Sequence, residues 1–181
     1  VTVEYIRDNT SMTSNIDGTI LVPYIIVAQN LHIESILGTA MFNEVITDIR
    51  NNTVTGVIKT LLDDYLQPTL AQWSFYEALP FIKYSISNIG VSSRDAENAN
   101  EVDLEELQFI RGVIKDTAEY MSQRVINYLK ANVSSYPSYQ NAGSGVDTIN
   151  PTGSVYFSGI VFDNTYDDCS YGEGYNNIPL N

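Results

Sequence analysis

The side chains best suited to chemistry in this chain are one histidine, one cysteine and two groups of neighbouring aspartates. His32 lies within an apolar helical run, where a lone imidazole is expected as a surface or half-buried helix residue rather than a catalyst. Cys169 sits in an acidic stretch, and nearby negative charge raises a thiol pKa, so a thiolate nucleophile is not expected. Nothing in the spacing ties Cys169 to His32. Asp63 and Asp64 project about 100° apart if helical, so they cannot share a proton or a metal, and a solvated helix edge is the plainer reading. Asp163, Asp167 and Asp168 offer hard oxygens around Asn164, yet calcium loops alternate ligands at every second position and carry a glycine at the bend, which this stretch lacks. The chain has no phosphate-binding glycine loop, no GxSxG, no HExxH and no cysteine-rich zinc pattern. The expectation is a protein with no catalytic residues, no cofactor and no metal. A hydrolase with an acidic or cysteine site is the enzymatic alternative.

The elements that carry these residues centre on Val57 to Asn88. As one helix this run is about 48 Å long. Ile58, Leu62, Leu66, Leu70 and Trp73 step by four and then three, which places them on one face. Beyond Trp73 the apolar residues Phe75, Tyr76, Leu79, Phe81, Ile82, Tyr84 and Ile86 surround the cylinder, the pattern of a central helix with neighbours on several sides. Pro68 and Pro80 press on the carbonyls four residues back and predict kinks or a split into shorter helices.

Val1 to Ile6 alternates in the manner of a short strand, followed by a loop from Arg7 to Gly18. A helix is expected to start near Val22 and Pro23, with proline in its first turn, and to run through Ile25, Ile26, Gln29, Ile33 and Ile36 to a stop at Gly38. Thr39 is expected to cap a shorter helix through Met41, Phe42, Val45, Ile46 and Ile49, closed by Asn51, Asn52 and Thr53. Val91 to Asn100 reads as a polar surface loop. Asp103 and Glu106 have capping-box spacing. After them Leu107, Ile110, Val113, Ile114, Ala118, Met121, Val125, Tyr128 and Leu129 form a stripe of period 3.6, a second long helix expected to run antiparallel to the first. Asn132 ends it, and Pro137 opposes its continuation.

With 9 Lys and Arg against 22 Asp and Glu, the net charge is −13. Such a field opposes nucleic-acid binding, which rests on cations neutralising phosphates, and the basic residues here never cluster. No window of about 18 apolar residues is apparent, so no membrane span is expected. VTVEYIRDNTS lacks the basic and apolar regions of a secretory signal. A single cysteine excludes an internal disulfide and suits a reducing compartment.

From Ser134 the composition turns to Ser, Gly, Asn, Tyr and Pro, and no lysine or arginine follows Lys130. The expected division is therefore a helical domain over 1–133, with a short N-terminal strand and loop, and an extended arm over 134–181. Ser154 to Phe162, SVYFSGIVF, is β-prone, and a lone strand or hairpin is marginal in water, so it must pack on its own domain or on another chain. Of the 13 tyrosines, six lie in the arm: Tyr136, Tyr139, Tyr156, Tyr166, Tyr171 and Tyr175. Tyrosine combines apolar area with a water-tolerant hydroxyl, the character enriched at interfaces. Tyr156, Phe157, Ile160, Phe162 and Tyr166 are the candidate partner-contacting residues. A disordered low-complexity tail is the alternative for the same stretch.

The runs ILVPYIIVAQNLHIESILGTAMFNEVI, LLDDYLQPTLAQWSFYEALPFIKYSISNIGV and AEYMSQRVINYLKAN followed by YPSY carry a resemblance. Together they are similar to the small helical head-to-tail connector proteins of tailed phages, in the version found in crAss-like phages of gut bacteria. The likeness spans Ile20 to Tyr139 and rests on packing and turn patterns: AQ at Ala28 and Gln29, LG at Leu37 and Gly38, LP at Leu79 and Pro80, YP at Tyr136 and Pro137. It implies a helical bundle with extended arms that reach across subunits; joined to the reading of the residues above, the expected fold is mainly α, a bundle of about four helices with a kinked central helix and, on the composition after Ser134 alone, a C-terminal arm bearing a short β-strand or hairpin. It further implies an adaptor, or head-completion, ring subunit that sits beneath the portal in the virion neck. Such a protein is assembled in the host bacterial cytoplasm as a homo-oligomer, a dodecamer, contacting the portal and further ring or tail proteins. DNA would pass through the ring without sequence-specific binding, and no membrane is involved. The competing class is a non-catalytic binding module whose aromatic acidic tail recognises another protein or a glycan.

Overall fold

The protein is seen here as a computed structural model, which describes residues 1–12, 16–87, 90–93, 104–141 and 143–153. It is mainly helical. α1 is Val3–Asn9, α2 is Gly18–Leu37 and α3 is Thr39–Asn51. α4 is built from Gly56–Leu61, a π-helical turn Leu62–Leu66 and Gln67–Lys83. β1, Tyr84–Ser87, pairs antiparallel with β2, Gly90–Ser93, with Tyr84 opposite Ser93. α5 is Leu104–Ala131, and a short α6, Pro137–Gln140, follows.

α4 is the central element, flanked by α2 on one side and α5 on the other, with α1 also against it. Tyr24 stacks on Phe81 and His32 on Trp73, so α2 runs antiparallel to α4. Tyr65 stacks on Tyr128 and Arg111 lies over Tyr76, so α5 runs antiparallel to α4 as well. This explains why Leu70, Ala71, Trp73, Ser74, Phe75 and Ala78 are all buried on one helix: neighbours cover more than one side.

Several local expectations give way to packing. Val1 to Ile6 is not a strand. Thr2 Oγ1 accepts from the Tyr5 N–H at 3.2 Å and caps α1, and Ile6 is fully buried while Gln72 Nε2 donates to the Asn9 carbonyl of the same helix. Burial against α4 outweighs a weak β preference in so short a segment. α2 begins at Gly18 rather than at Pro23, because Asp17 Oδ1 accepts from the Thr19 N–H at 2.9 Å and caps it there. Pro23 therefore lies inside the helix, and the carbonyl it leaves without an acceptor role is that of Thr19, still in the first turn.

Gly38 ends α2 as expected, with φ +75° and ψ +156°, a conformation open to glycine alone. Gly38, not Thr39, is the cap of α3. The Thr39 hydroxyl instead donates to Glu34 Oε1 and accepts from the Ile149 N–H at 3.0 Å.

The two prolines of α4 act differently. Immediately before Pro68 the helix widens into the π turn, where the Gln67 N–H reaches the Leu62 carbonyl five residues back. A widened turn relieves the clash that the pyrrolidine ring would make with the preceding turn. The helix then passes through Pro80 and ends at Lys83, one turn later and short of Asn88, where the chain enters β1. Val91 is correspondingly in β2, while 94–103, including Asp103, lie outside the described residues.

Gly18–Leu37 corrects a further expectation. It contains an 18-residue window long and apolar enough to cross a membrane, one third of it buried within the protein. The buried part, including Leu21, Ile25, Ala28 and Ile36, forms core.

Residues 134–153 lie along the helical body. Tyr136 and Tyr139 are buried, and the Tyr136 hydroxyl donates to the Val57 carbonyl at 2.9 Å. Farther on, the Thr39 N–H donates to the Ile149 carbonyl at 3.1 Å and the Thr152 N–H to the Ser35 carbonyl at 2.9 Å. The Lys130 ammonium meets the Gly153 carbonyl at 2.8 Å. Backbone pairing of this kind fixes 143–153, which has no helix or strand of its own.

Candidate functional site

His32, the first chemical candidate, is half-buried. Its ring lies on the indole of Trp73 and its Nε2 is 2.9 Å from Glu77 Oε1. Burial holds the imidazole below its ordinary pKa, against the opposing pull of the Glu77 hydrogen bond and charge. At neutral pH the ring is accordingly uncharged, and Nε2–H is the donor to the carboxylate. The indole N–H of Trp73 donates to Ser122 Oγ at 2.8 Å, and Ser122 donates on to the Ala118 carbonyl at 2.8 Å. The Trp73 N–H and the Ser122 hydroxyl are thus satisfied within the core, and with the His32–Glu77 contact they form a structural network joining α2, α4 and α5.

Asp63 and Asp64 sit on the π turn of α4. Asp63 pairs with Lys59 and accepts from Gln67 Nε2 at 2.9 Å, on a half-exposed edge. Among the described residues no three His, Cys, Asp or Glu side chains come together to hold a metal ion. Asp163, Asp167, Asp168 and Cys169 lie outside the described residues. So do Tyr156, Phe157, Ile160, Phe162 and Tyr166.

What the described residues do offer is exposed apolar surface on the two helices that flank α4. On α2, Val22 and Ile26 stand one turn apart in solvent, followed by Val27 and by Leu31, which is 58% exposed. On α5, Phe109, Val113 and Tyr120 follow at +4 and +7 and so share one face. Phe109 is 73% exposed. Apolar surface repeated along a helix and left open is the usual mark of an interaction site, where scattered single residues are not.

These faces correct the core expected from periodicity. Ile26, Ile110 and Val113, all counted into apolar stripes, are exposed. The reason is geometric: α5 rests on α4 mainly along one line, through Leu107, Ile114, Ala118, Ser122, Val125 and Leu129, and an apolar arc wider than that line must spill into solvent. The missed signal was the width of the arc. Apolar residues over more than about 100° of a helix need either a second neighbour or a partner.

Residues 33–149, more than half of the chain, match the model of a family of unknown function, DUF6712. The match ends at Ile149, whose backbone bonds to Thr39 at the start of α3. No curated protein and no solved structure matches the chain.

Proposed function

We infer that this chain, which belongs to the DUF6712 family, is a structural subunit of a ring that joins the head of a tailed phage to its tail. The observation that carries the reading is the pair of apolar faces, Val22, Ile26 and Leu31 on α2 and Phe109, Val113 and Tyr120 on α5. A closed ring is made of heterologous contacts, so each subunit needs two different surfaces, and helices on the two flanks of one central helix supply them. The rigid body is the helical bundle around α4, and Tyr156, Phe157, Ile160, Phe162 and Tyr166 of the C-terminal stretch are the residues that contact a neighbour or the portal. The complete ring is a dodecamer in the virion neck, assembled in the host cytoplasm. Its net charge of −13 lets DNA pass without adhering, because like charges repel and few cations are available to hold phosphates.

The test is native mass spectrometry of the full chain, alone and with the portal protein of the same virion. Ring-sized assemblies are expected in at least one of the two. Ile26→Lys and Val113→Lys, each placing a charge in a face, are expected to abolish them while circular dichroism stays unchanged. A monomer under both conditions would overturn the reading, as would binding to neutral lipid vesicles through the α2 face or to glycans with no assembly.

A further inference from the structure

Two π-helical turns occur among the described residues, and residues of both line the same cavity. The first is Gln29–Ile33 in α2, where the Glu34 N–H reaches back five residues to the Gln29 carbonyl. The second is Leu62–Leu66 in α4. π turns are rare and are frequent at functional sites. The α4 turn has a local cause in Pro68. The α2 turn has no proline within it or in the residue positions just after it, so its sequence does not account for it.

The cavity has a volume of about 530 Å³ and lies between α1, α2, α3 and α4. Gln29 and Ile33 reach it from the first π turn, and Leu62, Asp63 and Leu66 from the second. The lining divides by burial. Ile33, Leu37, Phe42, Val45, Leu66 and Leu70 are buried and make an apolar floor. Tyr5, Gln29, Asp63 and Gln67 are partly or fully exposed and put a hydroxyl, two amides and a carboxylate at the rim, beside exposed Ile49. This combination of size, apolar walls and a few polar groups is that of a small-molecule site.

We propose that this cavity binds a small uncharged molecule with an aromatic or branched aliphatic body and a single hydrogen-bond-donating head. The charge distribution selects the head. Among the described residues Asp63 is the one carboxylate side chain on the lining and no lysine, arginine or histidine side chain lines it, and the whole chain carries −13. The Asp63 carboxylate and the net charge of −13 therefore disfavour an anionic ligand such as a fatty acid or a phosphate ester. Asp63 already accepts from Gln67 and Lys59, and the lone pairs left on its carboxylate and on the two glutamine carbonyls accept hydrogen bonds from a neutral donor. Lys59, which pairs with Asp63, does not line the cavity. The proposal is independent of the ring reading, and either can fail alone.

Two fluorescent probes share one skeleton and differ in charge: neutral phenylnaphthylamine, whose N–H donates, and its sulfonate, anilinonaphthalene sulfonate. Titrated into the full chain, the neutral probe is expected to saturate at one site and to bind at least about tenfold more tightly than the sulfonate. Asp63→Asn should narrow that gap. Ile49→Trp, a rim change that leaves the buried floor intact, should weaken the neutral probe by about tenfold with the helical signal unchanged, and Val45→Phe should do the same from the floor. Equal affinity for the two probes, or binding indifferent to Ile49→Trp, would overturn the proposal. So would tighter probe binding on combining Phe157→Ser with Phe162→Ser, because the chain's own C-terminal residues would then be the occupant.

Discussion

The imidazole of His32 lies flat on the indole of Trp73, ring centroids 3.6 Å apart and planes within 7° of parallel. Trp73 turns its N–H to Ser122 on α5 and receives the edge of Tyr76 at right angles, 5.5 Å away. One side chain of α4 thus meets both flanking helices at once. The face of the ring serves α2 and its polar edge serves α5, which is how an indole satisfies its N–H while contributing its full apolar area.

The stacked histidine makes stability depend on pH. His32 is the single histidine of the chain, and its folded pKa lies below the unfolded value of about 6.5, chiefly through burial. The unfolded chain therefore binds the proton first, so stability is fully present above the unfolded pKa and falls as pH drops through it toward the folded one. The melting temperature is expected to be lower at about pH 5.5 than at about pH 7.5, and His32→Asn should reduce that difference. Identical pH slopes in the two proteins would show that the imidazole does not titrate with folding.

Ser122 is fully buried and accepts from the Trp73 N–H. Ser122→Ala leaves that donor buried without an acceptor, at a cost of about 1–3 kcal/mol. Trp73→Phe removes the donor together with part of the stacked area. Because the two changes delete one shared bond, the double variant should cost less than the sum of the single ones, measured by urea denaturation with circular dichroism. Strict additivity would mean that the bond contributes nothing.

Gly38 is held at φ +75°, and a Cβ there would stand 2.7 Å from Cδ of Pro151 and 3.2 Å from the Ile149 carbonyl. Gly38→Ala is expected to destabilise by more than about 1 kcal/mol and to loosen the returning segment first. Hydrogen exchange reads this at the Thr39 and Thr152 amides, which bond to Ile149 and Ser35. Both should exchange faster in the variant than in the parent, while Trp73 fluorescence holds. Unchanged protection at the two amides would remove the claim that this glycine seats the segment.

Periodicity by itself determined that the chain is mainly helical and where its long helices lie. It also placed the stop at Gly38, because a 3.6-residue apolar repeat and glycine's access to positive φ are local properties. The same period left open which part of each apolar arc is covered. Ile25 and Ile26 are adjacent and equally apolar, yet Ile25 is buried and Ile26 faces solvent, since α4 lies on one side of α2 only. Tertiary packing likewise made Val3–Asn9 a helix, where a strand over Val1 to Ile6 and a loop from Arg7 were expected, by burying Ile6. It drew 134–153 back onto the body through Tyr136, Tyr139 and backbone bonds that composition does not announce. The cavity, too, is lined by residues of two π turns far apart in sequence, which only the fold brings to one place. Such features depend on what a residue meets across the fold, and that is set by neighbours distant in the chain rather than by its own period.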